Sequence, residues 1–210
     1  WSALGDGLNG TCYSIATDSA GNIYAGGSFN QAGGNPANYI AKLDGSSWSA
    51  LGSGLNGTCY SITIDGAGNI YAGGEFNQAG GKSAKSIAKW DGSNWSALGG
   101  GLIGSCHSIA IDGGNIYATD NGNNHVIDSP PKIKKWDGSS WSDHIILNQM
   151  AELNKILVDD GNIYVGGQGF NSQYNAKYCY YKSYRSSLNI GHNYEIINDI
   201  AIDKTRRIIY

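Results

Sequence analysis

Between residues 59 and 64 the chain alternates small with bulky side chains: Cys59, Ser61 and Thr63 fall on one side, Tyr60, Ile62 and Ile64 on the other. A period of two is that of a β-strand, and a small face opposite a bulky one suits a strand wedged between two sheets. Asp65, Gly66, Ala67, Gly68 and Asn69 follow, residues that tolerate positive φ. The chain is therefore expected to reverse there as a hairpin into a second strand at residues 70–72, which Gly73 and Gly74 end. Residues 75–86, largely polar around Phe76, read as a surface loop. A third strand is expected at 87–90, a turn at 91–94 and a fourth strand at 95–98, after which three glycines release the chain. No segment keeps a 3.6-residue period over ten residues, which excludes stacked helix pairs.

The same pattern recurs along the chain. Trp1, Trp48, Trp95 and Trp141 head successive copies at spacings of 47, 47 and 46 residues. Asp18, Asp65, Asp112, Asp159 and Asp203 precede the first turn of each copy, and Tyr24, Tyr71, Tyr117, Tyr164 and Tyr210 follow it. The copies are residues 1–47, 48–94, 95–140 and 141–190, with a partial copy at 191–210. Copies one and two differ at 11 of 47 positions, surface and turn positions included, as after recent duplication. Their identity therefore says nothing about functional constraint. Four short antiparallel strands per copy build one all-β domain over residues 1–210.

Composition sharpens this reading in three respects. Glycine, 32 of 210 residues, is far above the usual ~7% and recurs at fixed places, as tight turns require. A net charge of −3 with scattered lysines leaves no electrostatic footprint for nucleic acid. No apolar run approaches the ~18 residues of a membrane helix, so no membrane insertion is expected. No secretory leader is legible, but the chain opens at Trp1, on a repeat boundary and without an initiator Met, so that carries no weight.

The pattern GNIYAGG, then F, AGG, and IAKWDGSSWSALGSGLNG resembles kelch-like propeller repeats, including those of large bacterial surface and secreted proteins and of fungal cortical-marker proteins. The double glycines Gly26-Gly27, Gly73-Gly74 and Gly166-Gly167, with Trp90, Trp95, Trp136 and Trp141, carry the resemblance. The third copy departs with GNIYATDNGNNHVI, residues 114–127, which resembles an NHL repeat. Both families imply a β-propeller of four-stranded blades. Five blades are the natural count, the last incomplete or closed by the strand at residues 1–4; the alternative is a fragment of a longer propeller. The resemblance also implies an extracellular or cell-surface protein.

Candidate chemistry is sparse. Cys12, Cys59 and Cys106 share one slot of three copies, and equivalent points on neighbouring blades should exceed the ~7 Å Cα limit for a disulfide; small buried side chains are expected. Cys179 has no evident partner, and no paired C-x-x-C spacing of a zinc site occurs. The repeated aspartates are expected to cap turns rather than bind calcium, since closely spaced carboxylates are missing. The tryptophans are expected between blades. His107, His125, His144 and His192 occupy unrelated positions, and His107 replaces Tyr13 and Tyr60 in a core or channel role. No metal or cofactor is implied. The loop FNQAGG offers the best ligand site: Phe29, Asn30 and Gln31, repeated as Phe76, Asn77 and Gln78 and echoed by Phe170 and Asn171. Amides donate to and accept from hydroxyls, and several weak equivalent sites gain from multivalency. The expected function is a non-catalytic binding or scaffold module for a protein or glycan. The alternatives are a multivalent lectin and an enzyme with its site at a channel mouth. Oligomeric state is not legible.

Overall fold

The computed structural model describes residues 4–122, 129–147, 150–169, 177–183, 186–190, 202–203 and 208–209, among which there is no helix. They divide into two compact units, Trp1–Cys106 and His107–Tyr210.

In the first unit, copy one contributes β1 (Cys12–Thr17), β2 (Ile23–Gly27), β3 (Gln31–Ala32), β4 (Asn35–Pro36) and β5 (Ile40–Leu43), and the head of copy two adds β6 (Trp48–Ala50). Strands β1, β2, β5 and β6 form an antiparallel sheet in that order, and β3 and β4 form a ribbon of their own. Copy two repeats the plan with β7 (Thr58–Ile64), β8 (Ile70–Glu75), β9 (Gln78–Ala79), β10 (Lys82–Ser83) and β11 (Ile87–Trp90), completed by β12 (Trp95–Ala97) from the head of copy three. The four expected strands are present, and the expected loop at 75–86 is itself folded into the β9–β10 ribbon. Phe76, Ala79 and Ala84 anchor that segment in the core.

Each first hairpin is clamped by its aspartate. Asp65 Oδ1 accepts the backbone N–H of Ala67 and Asn69, and Oδ2 accepts from Asn69 Nδ2 at 2.7 Å and the Tyr71 hydroxyl at 3.0 Å. Asp18 makes the same four bonds with Ala20, Asn22 and Tyr24. These bonds to the ionised form satisfy the turn's amides and hold both carboxyls below their ordinary range; for Asp65 they outweigh the opposing effect of burial. Burial, helped by the nearby carboxylate, raises Tyr24 and Tyr71 to about 12.

Two expectations about β7 and β8 are corrected by one structural detail. The double glycine lies inside β8, which runs on to Glu75, whereas in β2 it closes the strand at Gly27 as expected. A register shift between Cys59 and Ser61 breaks the simple alternation, so that Cys59 and Ile62 both reach the first sheet. There a Cβ on Gly26 would lie 2.7 Å from Cys59 Sγ and 2.9 Å from Ile62 Cδ1. A Cβ on Gly74 would lie 1.9 Å from the Thr58 carbonyl oxygen. The first glycine admits the neighbouring sheet, and the second admits the bulged strand beside it.

The core of this unit joins Ile40, Leu51, Leu55, Cys59, Ile62, Ile70, Phe76 and Trp95 across the two sheets. Trp95 packs in the core shared by the two sheets and its Nε1 donates to the Leu51 carbonyl at 2.7 Å, whereas Trp48, expected between blades, packs on residues of its own sheet and its Nε1 donates to the Leu4 carbonyl at 2.8 Å. Cys59 and Cys106 are buried free thiols, and burial raises Cys59 to about 12. Cys12, expected to be buried, is exposed. Ile62 packs against the first sheet and is 7% exposed, whereas its counterpart Ile15 on β1 is 61% exposed.

The second unit holds β13 (Ile109–Asp112), β14 (Asn115–Asp120), β15 (Lys132–Trp136) and β16 (Trp141–Ile146), then β17 (Met150–Asp159), β18 (Asn162–Gly169), β19 (Lys177–Ser183) and β20 (Ser186–Ile190). Each four form an antiparallel sheet in sequence order, and β21 (Ile202–Asp203) pairs with β22 (Ile208–Ile209). Tyr117, Ile133, Ile145, Leu153, Ile156 and Val165 form its core. In place of the double glycine, β14 carries Thr119 and Asp120, followed by Asn121, all buried. Thr119 Oγ1 accepts the N–H of His107 and of Ser108. Asn121 grips Leu153 twice, accepting its N–H at 2.7 Å and donating to its carbonyl at 3.1 Å. Polar side chains here make the joint that glycine-lined packing makes in the first unit.

Candidate binding site

Each repeated FNQAGG loop hangs on one asparagine from the segment before the first strand. Leu55 bridges Ala79, which brings Asn56 beside the ribbon. Asn56 Oδ1 accepts the N–H of Asn77 at 3.0 Å and of Gln78 at 2.9 Å, while its Nδ2 donates to Asn77 Oδ1 at 2.7 Å. Asn9 holds Asn30 and Gln31 in the same way.

These bonds settle where the expected site residues stand. Asn30 and Asn77 are exposed, but each side-chain oxygen is taken by the clamp. Phe29 and Phe76 are 1% and 7% exposed and serve the core, so neither offers a ring to a ligand. The reason is spacing: the ribbon is short, burying only Ala32 or Ala79 of its own, and is pinned by the aromatic preceding it. Gln31 and Gln78 project into solvent. Phe170 and Asn171, like His125 and His192, lie outside the described residues. His107 pairs with Glu152, Nδ1 to Oε1 at 3.3 Å, and His144 stands edge-on to Tyr117.

Gln78 borders a cavity of about 360 Å³ in the first unit, lined by Asn38, Tyr39, Ser53, Gly54, Leu55, Asn56 and Gly81 as well. The backbone shapes it. Tyr39 has φ +64°, and Gly54 sits where a Cβ would be 2.4 Å from the Asn38 carbonyl oxygen. That carbonyl accepts the N–H of Leu55, and Asn38 Nδ2 donates to the Ser53 carbonyl at 3.1 Å, closing the rim. No lining side chain carries a charge at neutral pH. The lining offers amides, hydroxyls and one aromatic ring.

Asn38, Tyr39, Ser53 and Asn56 were not legible as site residues. A signal was present all the same: copy one has Asn38-Tyr39 where copy two has Lys85-Ser86, a break in otherwise near-identical sequence. Among the described residues, no group of three or more His, Cys, Asp or Glu side chains is placed to hold a metal ion, and no helix is long and apolar enough to cross a membrane.

Repeated four-stranded antiparallel sheets, paired within one unit through a glycine-lined joint and within the other through an amide-clamped joint, define a β-propeller protein. The family model of the Rax2 C-terminal beta propeller domain matches residues 2–161, and the chain belongs to that family. No curated protein matches it. Among solved structures, it is similar to the computationally designed Ika4 protein, with TM-score 0.56 and 12% identity over 79% of this chain and 92% of that one. The extracellular domain of the hybrid two-component system BT4673 from B. thetaiotaomicron matches with TM-score 0.62 and 13% identity, over 95% of this chain and 25% of that one. A catalytically inactive virginiamycin B lyase from Staphylococcus aureus, with quinupristin, matches with TM-score 0.53 and 15% identity over 92% and 59%. The chain thus spans a quarter of that extracellular domain and little over half of the lyase. These likenesses show the fold, and a propeller fits a binding or scaffold module.

Proposed function

We propose that this chain is a non-catalytic recognition module that holds a partner on a rigid propeller frame, displayed at the cell surface. The observation that carries the reading is the cavity at Gln78. It is built by backbone bonds between two sheets, and its lining presents neutral amides and hydroxyls, groups that bind and orient but do not cycle protons at neutral pH. Rigid sheets with variable connections suit such a role, because ordering costs are met on folding rather than on binding. The surface location is supported by the repeats that the sequence resembles. The test is to probe the intact chain against an array of neutral and acidic glycans and a library of unstructured peptides, beside Gln78→Ala. A binder that Gln78→Ala loses is expected; silence on both surfaces overturns the reading. Labelling of cells with a membrane-impermeant amine reagent checks the location.

A further inference from the structure

We propose that the cavity at Asn38, Tyr39, Ser53 and Gln78 is a single binding site per chain for a neutral saccharide, an inference that rests on the recognition reading above and names its ligand.

Three observations converge on a sugar. First, the lining carries no charge, so nothing would offset the desolvation of an ionic ligand. Second, the side chains of Gln78, Ser53 and Tyr39 make no hydrogen bond to other described residues, while all three border one cavity. An amide and two hydroxyls, each able to donate and accept, match the vicinal hydroxyls of a sugar ring, and the Tyr39 ring supplies apolar area for its C–H face. Third, the backbone around the cavity is already paired. The Leu55 N–H goes to Asn38, that of Asn56 to the Gln78 carbonyl, and that of Gly80 to the Gly54 carbonyl. An extended peptide needs a free row of backbone groups to add as a strand; here side chains alone remain to be read.

Among the described residues the site is single, because the repeat does not preserve its chemistry. At the equivalent positions after the second sheet stand Lys85, Ser86, Gly100 and Ile103, in place of Asn38, Tyr39, Ser53 and Asn56. The backbone there is the same, with Ser86 at φ +59° and the Lys85 carbonyl accepting the N–H of Leu102. A charge replaces an amide, and the ring is gone. Around the first ribbon, Gln31 has no counterpart of Asn38 and Tyr39 beside it among the described residues.

The natural difference between copies supplies the variant that keeps the fold. Asn38→Lys with Tyr39→Ser installs the second copy's residues on a backbone that already holds them. Methyl glycosides of the common neutral hexoses and their disaccharides are titrated into the intact chain by calorimetry and by amide NMR. One sugar is expected to bind at one site per chain and to perturb the Gln78 and Asn38 signals. Affinity should be unchanged between about 0.1 and about 1 M salt. The double variant and Gln78→Ala should each weaken binding about tenfold or more, while Gln31→Ala leaves it unchanged and all three keep the wild-type unfolding midpoint within error. Two or more equivalent sites, a preference for acidic glycans that salt abolishes, or loss on Gln31→Ala overturns the proposal. A peptide binder lost on Gln78→Ala with no sugar bound would overturn it too, yet leave the recognition reading standing. No binder of any kind would remove both.

Discussion

Single residues in this fold are decided by what the next sheet needs. Gly74 meets the Thr58 carbonyl oxygen so closely that a methyl group would sit 1.9 Å from it, a contact that backbone has to move to relieve. Gly74→Ala is expected to cost more than about 2 kcal/mol in chemical denaturation. Gly66→Ser, at an open turn position where copy one already has Ser19, should stay within about 0.5 kcal/mol. The turn aspartates make a prediction about pH. The backbone N–H groups of Ser140 and Ser139 hold Asp137 down to about 2, below its value of about 3.9 in the unfolded chain. A group depressed on folding stabilises the fold above its unfolded value, and that contribution is lost as pH falls through the folded one. Wild type should therefore exceed Asp137→Ala in urea midpoint near neutrality, and the difference should shrink between about pH 4 and about pH 2.

At the scale of elements, the ribbons and joints are held by a few amides placed outside the strands. Asn56 holds β9 through three hydrogen bonds. Asn56→Ala is expected to speed hydrogen exchange at the Asn77 and Gln78 amides and to lower global stability by about 1 kcal/mol. In the second unit, Asn121→Ala strips Leu153, fully buried, of a donor and an acceptor at once. A loss of roughly 2–3 kcal/mol in thermal or urea unfolding is expected, since both backbone groups would stay dry and unpaired. The strands of β7, β8, β11 and β12 were legible because hairpin turns and period-two patterning are local. The β9–β10 ribbon was not, because two-residue strands carry no period and are pinned from elsewhere. For the same reason Asn30 and Asn77 could be read as exposed, but not as already engaged by Asn9 and Asn56.

At the scale of the molecule, near-identical copies have different fates. Ile15 and Ile62 stand in the same slot of matching stretches, yet one is 61% exposed and the other 7%. Ile62→Ala should cost about 2–5 kcal/mol in denaturant unfolding, whereas Ile15→Ala should stay within about 0.5 kcal/mol. Equal losses would mean that the face of β1 is covered in solution.

Hairpin turns and the places of the main strands were determined by the sequence itself, since each depends on residues within a few positions of one another. The tertiary structure decided which copy of a residue is buried, which phenylalanine is spent on the core and which amide is left for a ligand. Those outcomes depend on what packs across the joint, which the repeated letters do not specify.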